Sequence, residues 1–194
     1  MKNFVYVAGL SAAFLVAGCT SLPGSGSEPK WSQAAAPAGQ PIPYRWTHGN
    51  AEKAHKAMLS TFRRTGLPPG QFVWADKIPT EGETRVVVDL VTQMAFVFRG
   101  EQLVGASTIS SGKTGKITPL GYWPILEKKK FHRSRKYDNA PMPFMQRLDE
   151  YGIALHGGAN PGYPASHGCV RLPMKFAEKL YGLTKVGTQV VIEG

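Results

Sequence analysis

The stretch RVVVDLVTQMAFVFRGEQLVGASTIS (residues 85–110) is dense in β-branched and aromatic residues. Such side chains pack well on a pleated surface and favour extended backbone. Thr92-Gln93 marks the place where the first two strands meet, and Arg99-Gly100 reads as a tight turn into a third. Downstream, GKTGKITPLG (112–121) is a loop and YWPILEK (122–128) reads as another strand. KKKFHRSRKYDNAPMPFMQRLDE (128–150) is a long connection with a basic run and two prolines, and YGIALH (151–156) returns to strand character. PMKFAEKLYGL (173–183) predicts a helix: Pro173 suits a first helical position, Phe176, Ala177, Leu180 and Tyr181 share a face, and Gly182 stops it. GTQVVI (187–192) is a closing strand. There is no internal repeat and no alternation of strand and helix, so the fold class is mainly β rather than a nucleotide-binding α/β sheet.

Upstream of this core, NAEKAHKAMLSTFRRTG (50–66) places Ala54, Ala57, Met58 and Phe62 at helical spacing, with Asn50 as N-cap and Gly66 as stop. It predicts a modest helix outside the main domain or packed on its edge, followed by a turn at LPPG. Residues 20–43 are rich in Pro, Gly, Ser and Ala and poor in large apolar groups, the composition of a flexible tether. The first residues, MKNFVYVAGLSAAFLVAGC, carry Lys2, an uncharged run over 4–17, and small residues before Cys19. This is the pattern of a secretory signal peptide and not of a spanning helix. Four segments result: signal peptide 1–18, tether 19–43, an N-terminal extension with one helix 44–82, and a main domain 83–194.

The 194 residues are 42% hydrophobic and 19% charged, a globular balance, with 23 Lys+Arg against 13 Asp+Glu. A formal charge of +10 implies an anionic neighbour. Export makes that neighbour an anionic surface or a carboxylate-rich substrate, and excludes nucleic acid. There are two cysteines, Cys19 and Cys169. An exported protein can pair them unless Cys19 is modified, in which case Cys169 is a free thiol in an oxidising compartment.

Cys169 sits in HGGANPGYPASHGCVRLP (156–173), a loop whose glycines and prolines exclude a regular element. A thiol becomes a strong nucleophile when a histidine removes its proton. His167 lies two residues away. His156, at a strand end, is returned to the thiol by the intervening loop. Backbone N–H groups around Gly168 and Cys169 are candidate oxyanion donors. Three plainer readings stay open: a buried cysteine acting as a small hydrophobe, a Gly-rich turn with incidental polar residues, and a metal site. The last would need a fourth ligand or an open position beside His156, His167 and Cys169, and His48, His55 and His132 are scattered.

These residues resemble the active-site signature of the L,D-transpeptidase (YkuD-type) family: His156-Gly157, a spacer, then Ser166-His167-Gly168-Cys169-Val170-Arg171. VVVDLVTQ, FVFRGEQLV, TPLGYW and APMPFMQRL follow in family order, so the resemblance covers about residues 85–192. It implies a β-sandwich-like catalytic domain with a helix after the active-site loop, acting on peptidoglycan stem peptides without a cofactor or metal, as a monomer. Cys169 would attack the third stem residue, expel the terminal D-alanine, and pass the acyl group to another stem's amine to form a 3–3 cross-link. His156 would be the general base that holds Cys169 as thiolate, its other ring nitrogen bound to a carbonyl near Gly157. His167 would assist from the oxyanion side, with Ser166 and Gly157 supporting the loop. Arg171 would bind a stem carboxylate, and Tyr137, Met142, Phe144 and Arg147 would line the donor side. Trp123 is expected in the core. LVAGC also resembles the lipobox of bacterial lipoproteins, which implies a lipid on Cys19 and, with Thr20-Ser21 behind it, the outer membrane of a Gram-negative periplasm. Two other readings are a hydrolytic relative (an L,D-carboxypeptidase or an amidase releasing wall-bound protein) and a non-catalytic wall-binding lipoprotein.

Overall fold

The computed structural model describes residues 44–194; the expected signal peptide, the tether and Cys19 lie outside the described residues. The chain runs α1 (Asn50–Phe62), β1 (Phe72–Trp74), β2 (Thr84–Asp89), β3 (Met94–Arg99), β4 (Gln102–Thr108), β5 (Gly121–Pro124), β6 (Glu127–Lys129), β7 (Met145–Arg147), β8 (Ala154–Gly157), β9 (Val170–Leu172), α2 (Met174–Leu183) and β10 (Gln189–Glu193). A six-stranded sheet has the order β1-β4-β3-β2-β10-β5, and a four-stranded sheet the order β6-β7-β8-β9.

The meander β2-β3-β4 is antiparallel, and β10 returns parallel to β2, pairing Val190 with Val86 and Glu193 with Asp89. Strict alternation sorts the central strands between two faces. Val86, Val88, Ala95, Val97, Val190 and Ile192 turn toward the core shared with Leu155, Val170, Leu172 and the α2 residues Phe176, Ala177 and Leu180. Val87, Phe96, Phe98 and Ala106 turn the other way, onto Ala54 and Met58 of α1. Burial on both faces is why these strands read as continuous apolar runs rather than alternating ones.

Three expectations are corrected. The helix expected beside the domain lies flat on a face of the sheet, with Ala51, Ala54 and Met58 buried, because that face is too apolar to stand open to water. It begins at Asn50 rather than after it, with Gly49 before it. The single strand expected over 122–128 is two strands in different sheets: Pro124 has no N–H for a ladder, and the chain crosses between sheets at buried Ile125. Within the expected long connection, β7 forms the second sheet with β6 and β8, and residues 130–144 fold back as a hairpin flap. Trp123 packs against the main core as expected, and Tyr122 is exposed.

Candidate active site

The site grows from the parallel pair β8 and β9, in which Leu155 faces Val170 and His156 faces Arg171. Paired residues point to one side of a sheet, and residues two apart on one strand share a face. Cys169, in the bend immediately before β9, lines the same cavity as Arg171 and His156. The connection 158–169 closes this parallel pair with a loop instead of a helix, so its path must be held by other parts of the chain.

The holding rail is the segment after β4. Ser110 exchanges two backbone hydrogen bonds with Arg171 (both 3.0 Å) and donates its hydroxyl to the Tyr163 carbonyl (2.8 Å). The Ser111 carbonyl accepts from Ala165 N (3.0 Å) and Ser166 N (2.9 Å), and Lys113 N donates to the Ser166 carbonyl (3.0 Å). Ser111 is itself fixed by Gln93, which accepts from its N–H (3.0 Å) and donates to its hydroxyl (2.8 Å). Thr118 donates to the Gly168 carbonyl (2.8 Å) and accepts from Gly112 N (2.9 Å). At Gly112 the approach is so close that a Cβ would sit 1.9 Å from the Lys116 carbonyl oxygen. At Gly168, φ is +118°, a region essentially confined to glycine, and a Cβ would meet Ile153 at 2.6 Å. Of these supports, only Gly168 and Ser166 stood out in the sequence. Thr118 lies in TPLGYW and Gln93 ends VVVDLVTQ, which both carried a signal, though not of this role; Ser110, Ser111 and Gly112 carried none, because their partners are distant in the chain.

Ser166 accepts from Gly168 N (3.0 Å) and donates to the Cys169 carbonyl (2.5 Å), closing a tight turn around the thiol. The Gly168 N–H is committed to Ser166, and the Gly157 N–H to the Pro143 carbonyl (2.8 Å). The Cys169 N–H is left as the candidate donor from this turn.

His156 is buried, with Nδ1 2.9 Å from the Gly157 carbonyl oxygen. A carbonyl only accepts, so Nδ1 carries the proton and Nε2 is the basic nitrogen. Burial lowers the proton affinity of His156; the Gly157 carbonyl opposes this, and the charge of Arg171 adds to it. Cys169 is partly buried, its Sγ 3.6 Å from the Gly152 carbonyl. Burial pushes its thiol up, against the pull of the Ala154 backbone. Both groups are thus neutral at pH 7. Burial works against the resting thiolate that the resemblance implies, since neither charge is solvated before substrate arrives.

A cavity of about 1490 Å³ opens over this pair, bounded by the flap and lined by His156, Cys169, Arg171, His132, Tyr137 and Met174 among others. His167 is exposed at its rim and stacks on Tyr137 of the flap, ring centroids 4.4 Å apart. Met142 is buried with Met145 and Ala154 in a cluster that packs against Cys169. Arg171 lines the cavity and donates to the Ala165 carbonyl (2.6 Å), so it also ties the loop. Arg147 reaches the cavity but is occupied by Glu127 (3.0 Å) and the Asp149 carbonyl (2.7 Å). Phe144 is the exception among the expected lining residues: it turns away, against the main core and Tyr181, at a backbone φ of +56°. Its positive φ reverses the side-chain direction that extended backbone would have given. Conversely His132, scattered in the sequence, is brought to the cavity.

Similarity to known proteins follows the same boundaries. The sequence profile of the family described as YkuD, L,D-transpeptidase catalytic domain, matches residues 83–192. No curated protein matches the chain. Among solved structures, an L,D-transpeptidase (Yku) from Stackebrandtia nassauensis is 30% identical over 61% of this chain and 58% of its own, with a TM-score of 0.53. An L,D-transpeptidase from Mycobacterium tuberculosis is 19% identical over 57% of each chain, TM-score 0.54. That of Xylanimonas cellulosilytica is 23% identical over 71% of this chain and 68% of its own, TM-score 0.54. The chain thus spans less than two thirds of the Stackebrandtia and Mycobacterium chains, and the Mycobacterium and Xylanimonas likenesses bear on the fold alone. The mainly β architecture matches that of the L,D-transpeptidase catalytic domain. With its profile matched across more than half the chain, this protein belongs to the YkuD L,D-transpeptidase catalytic-domain family.

Proposed function

We propose that the protein is a peptidoglycan L,D-transpeptidase that works through an acyl-enzyme on Cys169. His156 Nε2 takes the thiol proton as Sγ attacks the carbonyl of the third stem residue, then gives it to the departing D-alanine amine. A thioester remains, and the side-chain amine of a second stem resolves it to a 3–3 cross-link. The Cys169 N–H supports the developing oxyanion, and Arg171 binds a stem carboxylate with the guanidinium edge that Ala165 does not use. What carries the reading is the hydrogen bond from His156 Nδ1 to the Gly157 carbonyl (2.9 Å). It selects the tautomer whose basic nitrogen is free, in the cavity that Cys169 also lines. His167 has a different place, as a stacking partner of the flap at the cavity mouth.

Purified protein mixed with disaccharide-tetrapeptide is expected to yield, by mass spectrometry, a 3–3 linked dimer together with free D-alanine. Tripeptide without dimer would replace this reading by hydrolysis, and no turnover would overturn both in favour of wall binding. The same proposal extends to location: a signal peptide 1–18, a lipid on Cys19, and a tether 19–43 that holds the enzyme at the periplasmic face of the outer membrane. Cys19→Ala is then expected to move the protein from the membrane fraction to the soluble periplasm. Unchanged fractionation would sink the lipid anchor.

A further inference from the structure

Turning an ammonium into an amide removes two protons from nitrogen. His156, neutral again once D-alanine has left, can carry one of them to the departing Cys169 sulfur, and the other has no acceptor in the reaction proposed above. Water attacking the same thioester needs to lose only one. A second base in the cavity would therefore serve amines and not water.

Two other imidazoles line the cavity; His167 is engaged in stacking on Tyr137 at the rim, which leaves His132. The flap over residues 130–144 is a hairpin whose rungs are Phe144 N to Lys130 O (2.9 Å), Met142 N to His132 O (2.8 Å) and Ser134 N to Ala140 O (2.9 Å). Extended backbone alternates, so Phe131 and Arg133 are exposed while His132 and Ser134 are half-buried and line the cavity. Met142, across the rung from His132, belongs to the apolar cluster that touches Cys169. His132 is near enough for its charge to bear on that of His156.

The groups that bear on His132 are Glu127 and Lys129 of β6, Arg135 of the flap, and His156 of β8. Burial first, then Lys129 and Arg135, hold its imidazole below the usual histidine range against the opposing pull of Glu127. It is therefore neutral and able to accept a proton at pH 7. With Lys136, Arg147 and Arg171, these cations outnumber the carboxylates Glu127, Asp138 and Glu150 that also line the cavity, which disfavours an ammonium there and eases release of its proton.

We propose that His132 removes the first proton from the incoming acceptor ammonium and thereby commits the acyl-enzyme to amines over water. The N–H proton passes to the unprotonated ring nitrogen of His132, and the freed lone pair attacks the thioester carbonyl carbon. The C–S bond breaks with its electrons to Sγ, the second N–H proton reaches Sγ through His156, and His132 releases its proton to solvent at the cavity mouth. The assignment rests on the acyl-enzyme reading, and the test separates the two.

Wild type and His132→Gln are acylated with disaccharide-tetrapeptide, then offered water, a primary alkylamine acceptor, or methoxyamine, which is already neutral at pH 7. Acylation and hydrolysis should stay within about 3-fold, while attack by the alkylamine falls about 10- to 100-fold, the range of a lost general base. Methoxyamine should react equally with both proteins. The alkylamine deficit should shrink as pH rises toward the amine's own pKa of about 10. Equal losses for both amines would assign His132 a structural role and overturn the proposal, as would loss of acylation or no loss at all. If the wild type forms no acyl-enzyme, the Cys169 reading falls first and takes this one with it.

Discussion

Cys169→Ala should leave no acyl-enzyme, and His156→Gln should slow acylation by roughly 10²–10⁴-fold, the span a positioned general base contributes. The two variants are expected to keep the fold, because Cys169 is only partly buried and glutamine can still donate to the Gly157 carbonyl. The pH dependence carries more information than the loss. His156 is held below its ordinary value of 6.5 by burial, and Cys169 above its ordinary 9.0 by the same cause. A base with a lowered pKa is unprotonated above that pKa, so the acylation rate should climb with pH in a range below 6.5. It should then stay level through neutrality until the thiol itself ionises above 9.0. Iodoacetamide, which reacts with thiolate, should alkylate the free enzyme slowly at pH 7 and steeply faster above pH 9. Fast alkylation already at pH 6, changing little up to pH 8, would mean a resting thiolate–imidazolium pair and overturn this account.

Glu193→Ala should be the most damaging change away from the cavity, at about 3–5 kcal/mol, the cost of stranding the partners of a buried charge. Glu193 has no exposed surface. Its Oε1 accepts from His48 N (2.8 Å), Asn50 N (3.1 Å) and Asn50 Nδ2 (2.9 Å), and its Oε2 from Thr47 Oγ1 (2.9 Å) and Ala51 N (2.7 Å). A carboxylate at the end of β10 thus satisfies the open N–H groups at the start of α1, a task usually done by a local cap, and it favourably meets the helix dipole. Its neighbour across the parallel ladder, Asp89, does the same for the other contacts of this segment: Oδ2 accepts from Tyr44 OH (2.8 Å), Thr92 Oγ1 (2.6 Å) and His55 Nε2 (2.9 Å). Burial opposes both charges, yet these hydrogen bonds outweigh it and hold both carboxyls below their usual range. A carboxyl whose folded pKa lies below its unfolded one stabilises above the unfolded value, and that stability is lost as pH falls through the folded one. The protein should therefore lose stability below about pH 4.5 in thermal melts, and Glu193→Ala should flatten that loss while lowering the melting temperature by roughly 10 °C or more at pH 7. A melt at pH 7 unchanged within about 2 °C would show that α1 is not held through Glu193.

Residues 85–110 specify three strands and their turns by local chemistry: β-branched runs, Thr92-Gln93, and the glycine at 100. The late helix and closing strand are equally local, a staggered apolar face after Pro173 and a Val-Val-Ile run. The histidine–cysteine loop is legible for a different reason. Its spacing, glycines and residue types form a pattern too specific for a plain turn, and the family follows from it. β6, β7 and the flap are hidden because prolines 141 and 143 and a basic run mask short strands that exist only through pairing.

Tertiary structure decides the rest. The distance in sequence between Gln93, Ser111, Thr118 and Gly168 says nothing of the rail they form, since hydrogen bonds between remote segments have no periodicity to betray them. The place of α1 depends on a sheet face that needs covering and on two carboxylates waiting on β2 and β10. Phe144 leaves the cavity because its backbone turns positive in φ, and His132 enters it because the flap folds back over β8. The charge state of the pair is tertiary as well: the sequence names a cysteine and a histidine, but burial first, and then the charges brought near each, favour the neutral form of both.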